Sequence, residues 1–544
     1  MIFRVPRPNR TSAERMGRIM KKSCIKWTIL CGCIALLCAA LAVSAVTEKQ
    51  RDIQFAGETE FNRICAQLTQ TDPPSAERGR LLMEGSPAPY DQAENCYYVP
   101  QSLETDGVDG ALSWSNGGQT AVLCMDSSFP GKAEAIRSGT SFSLMIRNGS
   151  EYYVEQVVFT GMPAIVIDME TDNATFDLDS TAIASVSVFN PDQDTPGNYV
   201  VYTAQARLTL RGTSSINYEK KSYNLTLYDG QGVRSGLPLL NMRKDDQWIL
   251  KSLLMDPMRA RECVSSGIWN SICEDGGDAD LETSDFRYTE VFLDDSYYGL
   301  FGLMTKIDSD VYGLDEDTDI LFKARSFEFL NCREDDFDPP LFSESGIRFP
   351  KVWQEGVYDP IYWYVDALYL QSPDITCEEI KAHLNMENAV DYALFYMLVS
   401  ARDNNFTNTY YLFRRDGDLY QTTLIPWDMD MTFGNSWDCV WTGEALPLSE
   451  TETVLLPQQM RVLQNFDETG IQTLLSARWT ELREGVWSDN ALCALVEAAF
   501  DRMEDSGAIA REELRWTQPG VQRGEAYMLS YIRERAAFMD RYFS

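Results

Sequence analysis

Apolar positions along this 544-residue chain fall into three successive patterns. They are continuous from Trp27 to Val46, an uncharged run of 20 residues. At about 1.5 Å per helical residue such a run spans a bilayer core of about 30 Å. From about residue 70 to 184 they alternate in short runs such as SFSLMIRN and YYVEQVVF, split by turns such as SNGGQ and TGMP, which predicts short β-strands. Towards the C-terminus they recur at helical spacing in SDNALCALVEAAFDRMED and GEAYMLSYIRERAAFMDRYF, with Ser488 as the N-cap of the first. The aromatic residues of these helices read as core.

The densest polar signal lies between such elements, in RDNNFTNTYYLFRRDGDLYQTTLIPWDMDMTFG from Arg402 to Gly434. Met386 to Ala401 carries Val390, Ala393, Leu394, Met397 and Leu398 at helical spacing, so Asp403 follows a helix end. Tyr410 to Phe413 and Leu419 to Ile425 predict two strands joined at Asp416-Gly417. Asp403, Asn408 five residues on, and then Asp428 and Asp430 stand in the order that phosphoryl transfer uses. One carboxylate orients the attacking hydroxyl, while an amide oxygen and a second carboxylate hold a divalent cation. Asp and Asn after a helix are also ordinary turn formers. The PWDMDMTFG segment favours chemistry, because alternation with Trp427, Met429 and Met431 would set both carboxylates on one side of a half-buried strand, where they need a cation.

Three upstream segments complete a pattern. ARLTLRGTSSINYEKKSYNLTL, DDQWILKSLLMDPMRARECVSSGIWN and YTEVFLDDSYYGLFGLMTKID, followed by the Arg402 loop, resemble in order the motifs of the CotH kinase family, named for spore coat protein H. The resemblance runs from about Ser185 to the C-terminus. It implies an atypical two-lobed kinase-like fold using ATP and Mg²⁺ or Mn²⁺ to phosphorylate protein hydroxyls, spore coat proteins being the best-known substrates. Carried onto this chain, it makes Asp403 the catalytic aspartate, Asn408 and Asp428 metal ligands, and Asp430 a further acid. Arg211, Ser214, Ser215 and Lys221 would then lie around the phosphates. Lys221 is preferred to Lys220 and Lys251, because alternation with Tyr223, Leu225 and Leu227 places it on an apolar face; a solvated strand-end lysine is the alternative. One departure is Thr305, where the family hairpin usually carries Glu, so an inactive kinase-like or surface-assembly and adhesion module is the second reading.

Composition narrows the rest. His383 is the single histidine and lies in a polar helical context, which sets aside His-based hydrolysis and His-rich zinc sites. The 13 cysteines contain no CxxC pair and form no evident disulfide framework, although a bridge within Cys65, Cys96 and Cys124 is open. Net charge is −35, yet the segment up to Val46 holds 8 basic residues and one acid. By the positive-inside rule the expectation is a cytoplasmic leader (1–26), a single-pass signal anchor or cleaved signal (27–46), and an exported remainder. That remainder divides into a small accessory β-domain (47–184) and a kinase-like domain (185–544), an α+β protein overall. Its acidity repels nucleic acid and favours basic partners or divalent cations.

Overall fold

The computed structural model describes residues 51–544, apart from 75–77, 127, 171–180, 213–214, 277–280, 325–345, 371, 373, 438–446, 467 and 518–523. The leader and the apolar run of 1–46 lie outside the described residues. Among the described residues no helix is long and apolar enough to cross a membrane. The architecture is mixed α+β.

Contacts divide the described residues into two units. The smaller comprises 51–88, 111–126 and 142–156. In it the strand Thr120–Cys124 pairs antiparallel with residues 144–147 and parallel with Gln54–Ala56. The helix Glu58–Cys65 lays Phe61 onto Ala56, Val122 and Met145. Cys65, Cys96 and Cys124 are free thiols, so the bridge left open by their spacing is not formed.

The larger unit takes 89–110, 128–141 and everything from Val157 onward. Its first part is a closed seven-stranded barrel: Ala164–Met169, Thr181–Pro191, Tyr199–Arg211, Ser222–Tyr228, Gln247–Lys251, Tyr297–Thr305 and Phe286–Leu293. A parallel pairing of Ala164–Met169 with Phe286–Leu293 closes it. Strict alternation fills the interior, as with Ala184, Val186 and Val188 against Ala206, Leu208 and Leu225. Position 184 therefore lies within a barrel strand, and the barrel draws its first strand from the segment that alternation alone grouped with the accessory domain.

Beyond the barrel the helix Met386–Val399 is buried on every face from Asn388 to Val399. A helix apolar all round must sit at the centre of a packing layer, and this one packs against Arg261–Gly276, Glu468–Glu484 and Glu525–Phe543. An antiparallel sheet ordered Ile347–Phe349, Asp319–Lys323, Thr409–Asp416, Leu419–Pro426 completes the frame. The hairpin and the central helix match the sequence expectation. Ser488 caps Asp489–Asp505 by accepting from the Ala491 amide. His383 stacks on Trp363 with ring centroids 3.6 Å apart, and its Nδ1 lies 2.8 Å from the Glu379 carbonyl oxygen, a structural position.

A buried ionic knot joins barrel to helices. Lys220 donates to both Glu512 carboxylate oxygens at 2.7 and 2.8 Å and to the Leu300 carbonyl at 2.6 Å. Glu512 also accepts from the Leu300 amide and Arg259. Burial pulls the Lys220 ammonium down to about 7, against the pull of Glu512. Removing one member of such a group leaves bare charge in a dry interior. Glu512→Ala is expected to lower the unfolding free energy by about 3–5 kcal/mol in urea titrations. A loss below about 1 kcal/mol, the range of ordinary surface changes, would show that the knot does not hold the barrel to the helices.

Candidate active site

The loop after the central helix is built by backbone hydrogen bonds as much as by side chains. Asn404 is buried and donates from Nδ2 to the Asn408 carbonyl at 2.6 Å and to the Trp427 carbonyl at 2.7 Å. The Trp427 amide donates back to the Asn408 carbonyl at 3.0 Å. Residues 403–408 and the end of the second hairpin strand are thereby locked together. Asn408 Nδ2 donates to Asp403 Oδ2 at 2.7 Å, which turns its amide oxygen away from that carboxylate. Burial, and then the nearby charge of Asp428, push the Asp403 carboxyl up from its ordinary value, while hydrogen bonds from Trp437 and Asn408 act the other way.

Asp428 and Asp430 do not lie on a strand. The strand ends at Pro426, Asp428 adopts φ +59°, and Met429–Met431 form one 3₁₀ turn. The sidedness expected from alternation survives this correction: Trp427, Met429 and Met431 are buried, whereas the acids face a charged cleft. The apolar residues still find the core, but a left-handed residue replaces the extended backbone.

That cleft is organised by Lys251. Its ammonium lies 2.5 Å from Glu262, 2.6 Å from Asp428 and 3.3 Å from Asp430. Burial alone would lower its pKa, but Asp428, Asp430 and Glu262 hold it well above the ordinary value. Asp428 feels burial too, yet Lys251, Lys323 and Arg211 keep its carboxyl well below the usual range. Asp430 shows the opposite balance, pushed up to about 7 by burial and by Asp428, Glu262 and Asp256, against the pull of Lys251. Glu262 also accepts from the Met429 amide at 2.8 Å, and Arg261 Nε donates to the Thr432 carbonyl at 2.8 Å while its Nη1 pairs with Asp256. The start of the helix Arg261–Gly276 thus clamps the acidic turn.

Of the phosphate-side residues expected from sequence, Arg211 is here. Its guanidinium stands 5.5 Å from the Trp427 ring centroid, and its charge acts on Asp428. Ser214 lies outside the described residues, as does the side chain of Ser215. Lys221 does not enter the cleft, where Lys251 stands beside the acids instead. Lys221 precedes its strand, and its ammonium turns back onto the Ile216 carbonyl at 2.7 Å, so the alternation running through Tyr223 does not carry it into the cleft. Lys323, Arg348 and Glu262 were not singled out by spacing. The tertiary arrangement brings Lys323 and Glu262 beside the acids and sets Arg348 near Lys323 and Tyr410. Thr305 is buried and accepts from the Asp285 amide at 2.9 Å, serving the barrel wall.

All the candidate metal donors are oxygen atoms, the type that Mg²⁺ takes, and Mg²⁺ commonly uses one or two protein carboxylates with substrate phosphates and water. Asp428 fits best: it is held anionic, and 38% of its side chain is accessible. Asn408 offers its outward amide oxygen. Asp430 is only 15% accessible and leans on Lys251. No group of three or more His, Cys, Asp or Glu side chains able to hold a metal occurs among the described residues.

A family model described as CotH kinase protein matches residues 208–539, well over half the chain. A search of curated proteins finds no match.

The choice between the two lysines can be measured. Lys251→Met leaves Glu262 and Asp428 facing each other uncompensated and is expected to cost about 3–5 kcal/mol in chemical unfolding. Lys221→Met removes one bond to a carbonyl and is expected to cost about 1 kcal/mol or less. Equal losses would mean that Lys251 does not organise the cleft.

Proposed function

The chain belongs to the CotH kinase family, and we propose that it is an atypical protein kinase transferring the γ-phosphoryl group of ATP, with Mg²⁺ or Mn²⁺, to hydroxyl groups of proteins. The observation that carries this reading is geometric: Asn408 holds Asp403 by a 2.7 Å hydrogen bond, Asn404 ties that loop to Trp427, and the next residue, Asp428, pairs with Lys251, so the two carboxylates share one site. Asp403 is raised towards proton acceptance, and Asp428 is held anionic beside a cluster of cations. Sites that separate the pKa values of neighbouring acids in this way assign them to different jobs.

In this reading Asp403 accepts the substrate hydroxyl proton. The bond from that oxygen to the γ-phosphorus forms as the bond to the bridging oxygen breaks, and ADP leaves with the electron pair. Asn408 orients Asp403 through its 2.7 Å hydrogen bond and, with Asp428, would hold the cation. The divalent ion supplies neutralisation of phosphate charge and alignment of the phosphates. Lys251 keeps Asp428 and Glu262 in register, and Arg211 adds positive potential on the phosphate side. The kinase-like assignment of lobes, barrel above and helices below, belongs to this proposal.

The substrates we propose are surface or spore coat proteins, reached outside the cytoplasm if the apolar run 27–46 anchors or exports the chain. Acidity beyond Val46 suits basic substrates. A second reading, an inactive assembly or adhesion module, draws on Thr305, which occupies the place of the family's usual Glu and serves the barrel wall instead.

Two variants of the full-length protein separate metal binding from proton acceptance. Asp428→Asn is expected to abolish transfer and to weaken Mg-ATP binding in calorimetry. Asp403→Asn is expected to slow single-turnover transfer by about 10²–10⁴-fold with most nucleotide affinity kept, as for loss of a positioned base. A wild-type chain that binds Mg-ATP and phosphorylates neither itself nor basic Ser-rich peptides would favour the assembly module.

A further inference from the structure

Phosphoryl transfer spreads negative charge over the three equatorial oxygens of the group in transit, and a cation placed there accounts for large rate factors. The loop from Asp403 to Asn408 supplies none: the residues between are Asn404, Asn405, Phe406 and Thr407. Arg402, next to it, has an exposed side chain directed at Glu450, 3.6 Å away. Lys251 is committed to three carboxylates.

We propose that Lys323 is the catalytic cation of this site, contacting the phosphoryl group as it passes from nucleotide to substrate. The inference rests on the kinase reading above and deepens it. Lys323 ends the strand Asp319–Lys323 and is in register with Tyr410 on the first strand of the catalytic hairpin. Its ammonium stands 5.7 Å from the Tyr410 ring centroid and 5.4 Å from that of Trp427, the residue just before Asp428. Two aromatic faces fix its direction without neutralising it. Among the described residues no carboxylate or carbonyl accepts a hydrogen bond from this ammonium. Both Asp403 and Asp428 nonetheless feel its charge.

The surroundings point the same way. Arg211, Arg348 and Lys251 all act on Lys323 with like charge, and Asp428 pulls the other way. Lys251, Lys323 and Arg211 act together on Asp428, but Lys251 is shared with Glu262 and Asp430, so Lys323 and Arg211 are the cations placed to meet an arriving anion. Burial first, then the cations Arg211, Arg348 and Lys251, bring the Lys323 ammonium down to about 7, against the pull of Asp428. A purely structural alternative exists, in which Lys323 only steadies Trp427 and Tyr410.

The test uses the full-length protein with Lys323→Met and Lys323→Arg. Mg-ADP, which lacks the γ-phosphoryl group, is the binding probe, and single-turnover transfer from Mg-ATP is the rate probe. Lys323→Met is expected to slow transfer by about 10²–10³-fold while Mg-ADP affinity stays within about twofold, with Lys323→Arg recovering at least about tenfold of the loss. Thermal unfolding of each variant checks that the sheet has formed. Transfer by Lys323→Met at the wild-type rate overturns the inference and leaves the kinase reading standing. So does a parallel fall in stability, Mg-ADP affinity and transfer that Lys323→Arg does not relieve, since that is the structural role. A wild-type protein that neither binds Mg-ATP nor transfers phosphate removes the kinase reading, and this inference with it.

Discussion

One ammonium group holds three carboxylates that come from distant parts of the chain. Lys251 ends a barrel strand, Glu262 opens a helix, and Asp428 and Asp430 follow the hairpin that ends at Pro426. Carboxylates gathered in a largely buried cleft repel one another and lose hydration, so the cluster forms only around a cation. Because Lys251 is the shared centre, strand, helix and turn must arrive together. The same constraint sorts the acids. The carboxylate nearest the ammonium, apart from Glu262, stays ionised, and the more deeply placed Asp430 carries the cost of crowding as a raised pKa.

Backbone geometry around this centre is unusual at the residues that would meet ligand. Asn408 has φ +56° and Asp428 φ +59°, both in the left-handed region. Asn and Asp tolerate that region better than other non-glycine residues, because short polar side chains can bond locally. Asn404 makes the arrangement stable by bridging the carbonyls of Asn408 and Trp427, and Arg261 secures the far side through Thr432. The two left-handed residues are thus fixed by hydrogen bonds from positions that need not touch a substrate. Strain of this kind persists only where surrounding contacts over-determine it.

The local parts of this site were legible in the sequence because they depend on short-range patterns. The helix before Asp403, the hairpin around Asp416-Gly417 and the order of Asp403, Asn408 and Asp428 all follow from period and spacing. The lysine did not. Alternation places Lys221 on an apolar face, but it cannot say where the strand begins, and Ser222 is the first paired residue. Lys251 earns its position through pairings with Gly302 and contact with Glu262, which are set by barrel closure. That closure joins strands more than a hundred residues apart, at Ala164 and Glu290, and no local signal encodes it. For the same reason the boundary expected at 184 falls inside a strand. In PWDMDMTFG alternation separates the buried from the cleft-facing residues, but it hides the turn, because a 3₁₀ turn and a strand can bury the same three apolar residues.

The two cleft lysines illustrate how environment divides one residue type into two roles. Lys251 has carboxylates within hydrogen-bonding distance, which stabilise its charge and make it a fixed part of the frame. Lys323 has rings at its sides, with Asp428 and three cations acting on it, so burial and like charge make its ammonium costly to keep. A lysine paired by its own protein cannot strengthen an interaction in the transition state without giving up a partner. An unpaired lysine held in direction by aromatic faces can, because little reorganisation precedes the contact. On this argument the carboxylates that pair Lys251 preserve the architecture, and the absence of such a partner at Lys323, among the described residues, leaves its charge available for the proposed phosphoryl transfer.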